Sequence, residues 1–170
     1  MAIRWAVEQN QESTYLRFCN VPLDLPYTVP ADYTLQVGKG VTLRPGADVA
    51  IVGYGTILLT NAWKAADALA QQSISAAVID LPWLNRIDDE WVQTLGGYKQ
   101  IVTLDNHYLE YGQGVMIAAA LARNGVRADV TPIGLKEIPA CGSNAHVLAY
   151  HGLDSGGIAR TVTNTLAVRK

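Results

Sequence analysis

Several features that mark particular classes of protein are scarce or missing in this chain of 170 residues. Its 13 basic residues are outnumbered by 15 acidic ones and form no run, so nucleic-acid binding, which depends on clustered cations, is not expected. The longest apolar run, Val115–Ala122, is far shorter than the roughly 20 residues that span a bilayer. The first residues also lack the apolar stretch of a signal peptide. We therefore expect neither a nucleic acid nor a membrane as a partner.

Cysteine is also scarce. Cys19 and Cys141 are far apart in the sequence and form no C-x-x-C pair. This usage fits two reduced thiols in a cytoplasmic protein better than a disulfide framework. Cys141 precedes His146 and His151, but histidines five positions apart do not share the helix face that a metal pair needs, and a fourth ligand is missing. We expect no metal site.

The most informative stretch of the chain, residues 48–89, has the pattern of one parallel β-α-β unit. Val49–Val52 is a short β-branched run that Gly53-Tyr54-Gly55 closes. Ala76–Ile79 forms the next apolar strand, and strands that alternate with helices predict a parallel sheet covered by helices. The helix between them is predicted from apolar residues at helical spacing: Leu58, Leu59, Ala62, Trp63, Ala66, Leu69 and Ala70.

The segments before this unit are less regular. Residues 2–9 predict a short helix and Thr14–Phe18 a strand. Val21–Pro30 carries three prolines and predicts an extended linker. Leu35–Val37 and Val41–Leu43, on either side of Gly38-Lys39-Gly40, predict a hairpin or a short edge strand.

The segments after this unit continue the alternation of helices and strands. The run Val115–Ala122 is apolar nearly all round, so we expect its helix to be buried. Pro132 places the last strand at an edge of the sheet or at its own end. The predicted elements are a helix marked by Ile87, Trp91, Val92 and Leu95 with Asp88 and Asp89 in its first turn, a strand Ile101–Leu104, a helix Gly112–Arg123 ended by Gly125, a strand Val130–Ile133, a helix Asn144–Tyr150, and a helix capped by Asp154 with Ile158, Val162 and Leu166 on one face.

Two turns that follow strands have candidate chemistry. Gly53-Tyr54-Gly55 has the position of a dinucleotide fingerprint, and Asp80 ends the next strand, where such folds carry the ribose-binding acid. However, Leu58 takes the place of the third glycine, and its side chain would fill the phosphate pocket. We therefore favour the interpretation that the two glycines permit a tight turn.

His107 follows the strand Ile101–Leu104 and precedes a predicted helix start. The free N–H groups of a helix N-terminus bind anions, and a nearby histidine can add charge. A loop histidine bonded to its own backbone is the competing interpretation, and it suits a lone histidine better. The strand-end turns together give a candidate anion or interface site with these residues: Gly55, Thr56, His107, Gln113 and Gly114.

Five aromatic residues provide more aromatic surface than one small core needs. If several are exposed together they mark a protein interface, and if not they belong to the core. Both interpretations are open for Trp63, Trp83, Trp91, Tyr108 and Tyr111.

Four short blocks occur in a fixed order over about residues 38–168. They are Gly53–Thr56 with Ala62–Ala66; Val78-Ile79-Asp80-Leu81 with Arg86-Ile87-Asp88; Ile101–Leu104 followed by Asp105-Asn106-His107 and Gly112-Gln113-Gly114; and Gly152-Leu153-Asp154 with the helix behind it. In this order the blocks resemble the C-terminal domain of the transketolase family of thiamine-diphosphate enzymes. That family includes deoxyxylulose-phosphate synthases and the β chains of 2-oxo acid dehydrogenases. The aromatic cluster would then favour an interface, since such domains pack in dimers.

The resemblance implies a three-layer α/β fold, with a mostly parallel sheet of about five strands and helices on both faces. It divides the chain into three parts. Residues 1–20 would be the last helix and strand of a preceding pyrimidine-binding domain, residues 21–34 a proline-rich linker, and residues 35–170 the C-terminal-like domain. Arg17 matches an arginine at the end of the preceding domain and is a candidate substrate-side residue.

The function implied is that of an accessory domain, present as a fragment or a split subunit. It would support dimer assembly and the catalytic domains without catalysing a reaction alone. Its partners would be a second copy of itself and the missing cofactor-binding domains. The parent enzyme would use thiamine diphosphate and Mg²⁺. This chain would bind neither, because the family's GDG metal motif and its catalytic glutamate lie on other domains.

Two further functions are consistent with the sequence. The chain could act as a stand-alone α/β module that binds a nucleotide or a small anion at the turns Gly53–Thr56 and His107–Gly114. It could also be a structural oligomerisation domain that binds no ligand. A ligand-dependent rise in melting temperature would support the first of these over the accessory domain, and a dimer in sedimentation that is indifferent to every ligand would support the second.

Overall fold

The computed structural model describes residues 1–168. Its five strands are β1 (Val41–Arg44), β2 (Val49–Gly53), β3 (Ala76–Asp80), β4 (Gln100–Tyr108) and β5 (Val130–Leu135). They form one sheet in the order β1-β3-β2-β4-β5. β1 runs antiparallel to β3, and the other neighbours are parallel.

Helices cover both faces of this sheet. α2 and α6 pack on one face, while α3 and α4 pack on the other. The predicted three-layer, mostly parallel α/β fold is therefore confirmed. The six helices are α1 (Ala2–Glu8), α2 (Gly55–Ala70), α3 (Asp89–Gln93), α4 (Gln113–Arg123), α5 (Asn144–Tyr150) and α6 (Ser155–Ala167).

The core lies on the two faces of the central strand β2. Every residue of Val49–Val52 is fully buried, because neighbouring strands and helices cover the strand on all sides. Ile51 packs toward α2 and α6, whereas Val52 packs toward α3 and α4. This double burial explains why the strand is a continuous apolar run. As predicted, Pro132 lies on an edge strand.

Side-chain caps fix several helix ends where the sequence predicts them. Asp88 accepts a hydrogen bond from the N–H of Trp91 at 2.8 Å, and Asp154 accepts one from Gly157 at 2.9 Å. Gly125 follows α4 with φ +67°, the left-handed conformation that ends many helices. The predicted ends at Asp154 and Gly125 are confirmed, whereas Asp88, expected in the first turn of its helix, caps α3 from outside it, and Ile87 precedes the helix.

Three sequence expectations are wrong. Thr14–Phe18 forms no strand, since no neighbouring strand pairs with it, and Tyr15 and Phe18 are 89% and 66% exposed. Leu35–Val37 is not a strand either, so the hairpin is wrong, whereas the alternative of a short edge strand is confirmed by β1. The run Val115–Ala122 is not buried all round. α4 covers the sheet with one side only, which leaves Val115 46% exposed.

The N-terminal segment, residues 1–40, contains α1 and otherwise has no helix or strand. α1 has no buried residue, and Trp5 meets Trp83 edge to face at a ring-centroid distance of 4.8 Å. Further along, Tyr27 stacks on Trp63 at 5.5 Å. Side-chain contacts, together with a hydrogen bond from the N–H of Asp88 to the carbonyl oxygen of Gly38 at 3.0 Å, hold this segment against the α/β domain.

The five aromatic residues considered above do not share one environment. Trp91 is buried in the core. Trp63 and Trp83 are half-buried under rings of the N-terminal segment. Tyr108 and Tyr111 are exposed. The core interpretation therefore holds for one residue, and the last two remain candidates for an interface.

Candidate interface and anion site at the carboxyl edge of the sheet

The predicted site residues lie around the point where the topology of the sheet reverses. β2 leads into α2 on one face, and its neighbour β4 leads into α4 on the other. The carboxyl ends of two such strands leave a crevice where ligands of open α/β sheets bind. The candidate residues lie at this edge: Gly55 and Thr56 begin α2, His107 lies near the end of β4, and Gln113 and Gly114 begin α4.

Asp105 is the central polar group of this edge. Its side chain is 1% exposed and accepts hydrogen bonds from the N–H groups of Gln113, at 2.8 Å, and Gly114, at 3.1 Å. The carboxylate thus satisfies and neutralises the N-terminus of α4. These two N–H groups are engaged within the chain, so an external anion would have to use other donors.

Gln113 also ties the loop after β3 to this edge. Its side-chain nitrogen donates to the carbonyl oxygens of Leu81, at 2.8 Å, and Trp83, at 3.0 Å. Since Gln113 is almost fully buried, these bonds supply a buried peptide segment with a donor. Gln113 therefore joins the ends of β3 and β4 and acts as a structural cross-link.

Tyr54 and Asn106 link the ends of β2 and β4. The Tyr54 hydroxyl lies 3.3 Å from Oδ1 of Asp105 and 3.2 Å from Oδ1 of Asn106. Burial, and secondly the charge of Asp105, raise the pKa of Tyr54, so the phenol stays protonated and donates. Arg17 donates from Nη1 to the same oxygen of Asn106 at 3.1 Å.

The structure brings only some of the predicted residues together. Arg17 and Gln113 are joined to the end of β4 through Asn106 and Asp105. Gly55, with φ +71°, and Thr56 are exposed at the start of α2, and no side chain caps that helix.

His107 is exposed, and its Nδ1 lies 3.3 Å from the carbonyl oxygen of Tyr108. Its ring meets the Tyr108 ring edge to face. These contacts are the local ones expected of a loop histidine.

Sequence reasoning missed Tyr54 and left Asp105 and Asn106 without roles, although both belong to the block Asp105-Asn106-His107 on which the resemblance rests. Two acceptors directly after an apolar strand, followed by a helix start, were the available signal. Tyr54 gave no signal of its own, because an aromatic residue between two glycines is not a site pattern.

Asp80 lies at the same edge, at the end of β3. Its Oδ2 accepts a hydrogen bond from the Tyr33 hydroxyl at 2.8 Å, whereas Oδ1 is buried and has no partner in the described part of the chain. Burial raises the pKa of Asp80 to about 6, although the Tyr33 bond opposes the shift. Burial and the charge of Asp80 raise the pKa of Tyr27 to about 12.

The two other site patterns in the sequence serve structural purposes. Leu58, at the third position of the would-be dinucleotide fingerprint, is buried in the core. Nε2 of His151 accepts a hydrogen bond from the N–H of Ala140 at 3.2 Å. Among residues 1–168 no group of three acidic, histidine or cysteine residues could hold a metal ion.

Gly112 stands where the loop passes over Asp105. A Cβ at this position would lie 2.7 Å from Cγ of Asp105, closer than real side chains approach. Because Asp105 is held by α4, we expect Gly112→Ala to reduce the free energy of unfolding by about 1–3 kcal/mol, measured by urea denaturation. Gly97→Ala is the control, since no atom lies within 4 Å of its Cβ position. A similar loss of free energy of unfolding in both variants would contradict the close approach between residue 112 and the Asp105 side chain.

A comparison with protein families identifies the fold. The model of the transketolase C-terminal domain matches residues 38–158. The chain belongs to the transketolase C-terminal domain family. The resemblance predicted from the four sequence blocks is thereby confirmed, and those blocks lie at β2–α2, β3, β4–α4 and the start of α6.

Two relatives illustrate how much of a longer protein this transketolase C-terminal domain covers. A protein of Methanocaldococcus jannaschii, named as a transketolase C-terminal section, is 27% identical over 87% of this chain and 46% of its own length. The 1-deoxy-D-xylulose-5-phosphate synthase of Thiobacillus denitrificans is 34% identical over 78% of this chain and 21% of its own. The chain thus spans less than half the length of these relatives.

Solved structures agree with the family assignment. A split-gene transketolase, described as an inactive β4 tetramer, matches with a TM-score of 0.76 and 25% identity over 86% of this chain and 48% of its own. A transketolase of Pichia stipitis matches with a TM-score of 0.59 over 77% of this chain and 18% of its own, at 20% identity, which shows the fold alone. No helix among residues 1–168 is long and apolar enough to cross a membrane.

Proposed function

We propose that the chain is the accessory C-terminal section of a transketolase-type thiamine-diphosphate enzyme, which supports its catalytic domains and assembles as a homodimer. The observation that carries the proposal is the family match over residues 38–158, joined to relatives of which the match covers only 46% and 21%. Catalysis would then depend on domains that bind thiamine diphosphate and Mg²⁺. Both cysteines are free and exposed, which suits a reducing compartment such as the cytoplasm.

The division of the chain belongs to the same proposal. Residues 1–20 would complete a preceding pyrimidine-binding domain, residues 21–34 would be the linker, and residues 35–170 the C-terminal domain. Large exposed apolar side chains in the first part support this division, since such surfaces mark contact with further protein. They are Ile3, Val7, Tyr15 and Phe18.

The strand-end turns would face the catalytic domains in this arrangement. Gly55, Thr56 and His107 are exposed at the carboxyl edge of the sheet. The Arg17 side chain reaches the same edge through its hydrogen bond to Asn106. Gln113 and Gly114 would hold the edge in shape through Asp105. We propose that these residues form an interface, with Arg17 on the substrate side of the neighbouring domain.

Calorimetry and sedimentation test the proposal. The purified chain should show no heat of binding with thiamine diphosphate and MgCl₂, and it should sediment as a dimer. Adding the cofactor-binding section of the same enzyme should restore cofactor binding. The double variant Tyr15→Ser, Phe18→Ser should weaken that association without changing the urea midpoint of the isolated chain. Tight cofactor binding by the chain alone would contradict the assignment.

One observation favours a second function, an α/β module that binds a nucleotide or small anion. The N-terminus of α2 is uncapped and lies at the reversal point of the sheet, where the Arg17 side chain also arrives. A rise in melting temperature with a nucleotide or with inorganic phosphate would support it. An unchanged melting temperature across such a panel would argue against this second function.

A further inference from the structure

We propose that Asn106 and Tyr54 are positioning residues that fix the guanidinium of Arg17 at the carboxyl end of β4. Through this contact the α/β domain would dock residues 10–20 and set where Arg17 stands relative to a neighbouring domain. The purpose of the contact rests on the proposed function, but the contact itself can be tested in the isolated chain.

The side-chain oxygen of Asn106 accepts from Arg17 and shares the single proton of the Tyr54 hydroxyl with Asp105. This oxygen lies 3.2 Å from the Tyr54 hydroxyl and 3.1 Å from Nη1 of Arg17. An amide oxygen has two lone pairs, and a guanidinium only donates, so the oxygen must face Arg17. The amide orientation of Asn106 is therefore determined by its neighbours.

Tyr54 makes this acceptor rigid. Its ring is 9% exposed and belongs to the core cluster that contains Leu58 and Leu104. Its hydroxyl lies between the side chains of Asp105, the last buried residue of β4, and Asn106, the next residue. Asn106 is thus held between two positions of β4 that pair with β5, Leu104 and Tyr108, and beside a packed ring.

Arg17 has no comparable support from its own segment. Residues 9–40 form no helix or strand, and of the two neighbours of Arg17 along the chain Phe18 is exposed and Leu16 is half-buried. One further tie fixes this part of the segment, the ion pair of Glu12 with Arg86 at 2.7 Å. The position of the guanidinium is therefore set by Asn106, 89 residues away.

The contact leaves most of the guanidinium available. Arginine carries five N–H donors, and among residues 1–168 Asn106 receives one of them. The other donors can bind an acidic group of a neighbouring domain in a bidentate way. Asn106 would then set the direction in which the Arg17 guanidinium faces that domain.

Limited trypsin digestion of the full chain tests the contact, because trypsin cleaves after arginine. In Asn106→Leu, cleavage after Arg17 should be about three- to tenfold faster than in the unaltered chain, since one hydrogen bond to a charged group is lost. The guanidinium ¹H–¹⁵N signals of Arg17 should move toward those of free arginine. Tyr54→Phe should give a smaller acceleration.

Asn106→Asp is the matched control, because it keeps an oxygen acceptor for Arg17. It should restore slow cleavage and the shifted signals. Cleavage after Arg127, on the loop before β5, should be equal in all variants. Equal rates of trypsin cleavage after Arg17 in Asn106→Leu and in the unaltered chain would overturn the proposal. Faster cleavage after both Arg17 and Arg127 in Asn106→Leu would also overturn it. So would fast cleavage after Arg17 in Asn106→Asp. The assay contains no other subunit, so its failure would leave the proposed accessory function untouched.

Discussion

Asp105→Ala is expected to reduce the free energy of unfolding by about 3–5 kcal/mol. The carboxylate is 1% exposed, and it accepts from the N–H groups of Gln113 and Gly114 at the start of α4. Alanine would leave both groups buried without a partner. It would also remove an acceptor from the Tyr54 hydroxyl. Urea denaturation at pH 7, followed by circular dichroism, measures the loss.

Two variants make this expectation specific. Asp105→Asn keeps one oxygen, but its NH₂ group would face an N–H of the helix, so we expect a loss of about half that size. Asp154 caps α6 in the same way but makes only one such bond and is half-buried, so Asp154→Ala should cost about 1 kcal/mol. If Asp105→Ala reduced the free energy of unfolding by no more than Asp154→Ala does, the central role of Asp105 at this edge would be refuted.

The sequence predicted the elements whose local pattern and burial agree. β2, α2 and β3 follow from a β-branched run, a helical spacing and a second apolar run, and the structure buries each of them as the pattern requires. Caps were predictable for the same reason. A side chain such as Asp88 bonds a backbone group only three residues away, so the motif is contained in the local sequence.

The wrong predictions depend on neighbours that a local pattern does not contain. Thr14–Phe18 has strand-like composition, but a strand exists only where another pairs with it. Val115–Ala122 is apolar on every side. Because α4 lies against the sheet with one side only, the opposite side, including Val115, remains exposed. Composition described these segments correctly, but tertiary context determined their environment.

The candidate site shows the same limit. The sequence identified the turns after β2 and β4, because glycines and polar residues follow apolar strands there. It could not show that Asp105 fills the N-terminus of α4, or that Arg17 meets Asn106 across 89 positions. Those contacts arise from the strand order, which brings β2 and β4 together. A tyrosine packed between them gave no periodic signal.

Asp80→Asn is expected to stabilise the chain at pH 8 and to have little effect at pH 4. Burial raises the pKa of Asp80 from 3.8 to about 6 in the folded state. The folded chain therefore binds this proton more tightly than the unfolded chain does. The resulting stabilisation is complete below the unfolded pKa and is lost as the pH rises through the folded one. At pH 8 the native chain must keep a poorly solvated charge.

Asparagine removes that penalty at every pH. Its amide oxygen can still accept the hydrogen bond from Tyr33, which lies 2.8 Å from Oδ2 of Asp80. Since one pKa unit corresponds to roughly 1.4 kcal/mol, we expect a gain of about 1–3 kcal/mol at pH 8. Urea denaturation of both proteins at several values between pH 4 and pH 8 would show the difference growing with pH.

Asp48 provides a control of opposite sign. Its pKa is lowered, first by the hydrogen bond from Lys99 and then by the N–H of Ser75. The ionised form is therefore favoured in the folded state, and its contribution is present at high pH and lost as the pH falls. Asp48→Asn should lose stability at pH 8, where Asp80→Asn gains it. The difference in free energy of unfolding between Asp80→Asn and the unaltered chain should grow with pH. If it stayed constant from pH 4 to pH 8, burial would not raise the pKa of this carboxyl. Its buried Oδ1 would then have to be solvated at the carboxyl edge of the sheet.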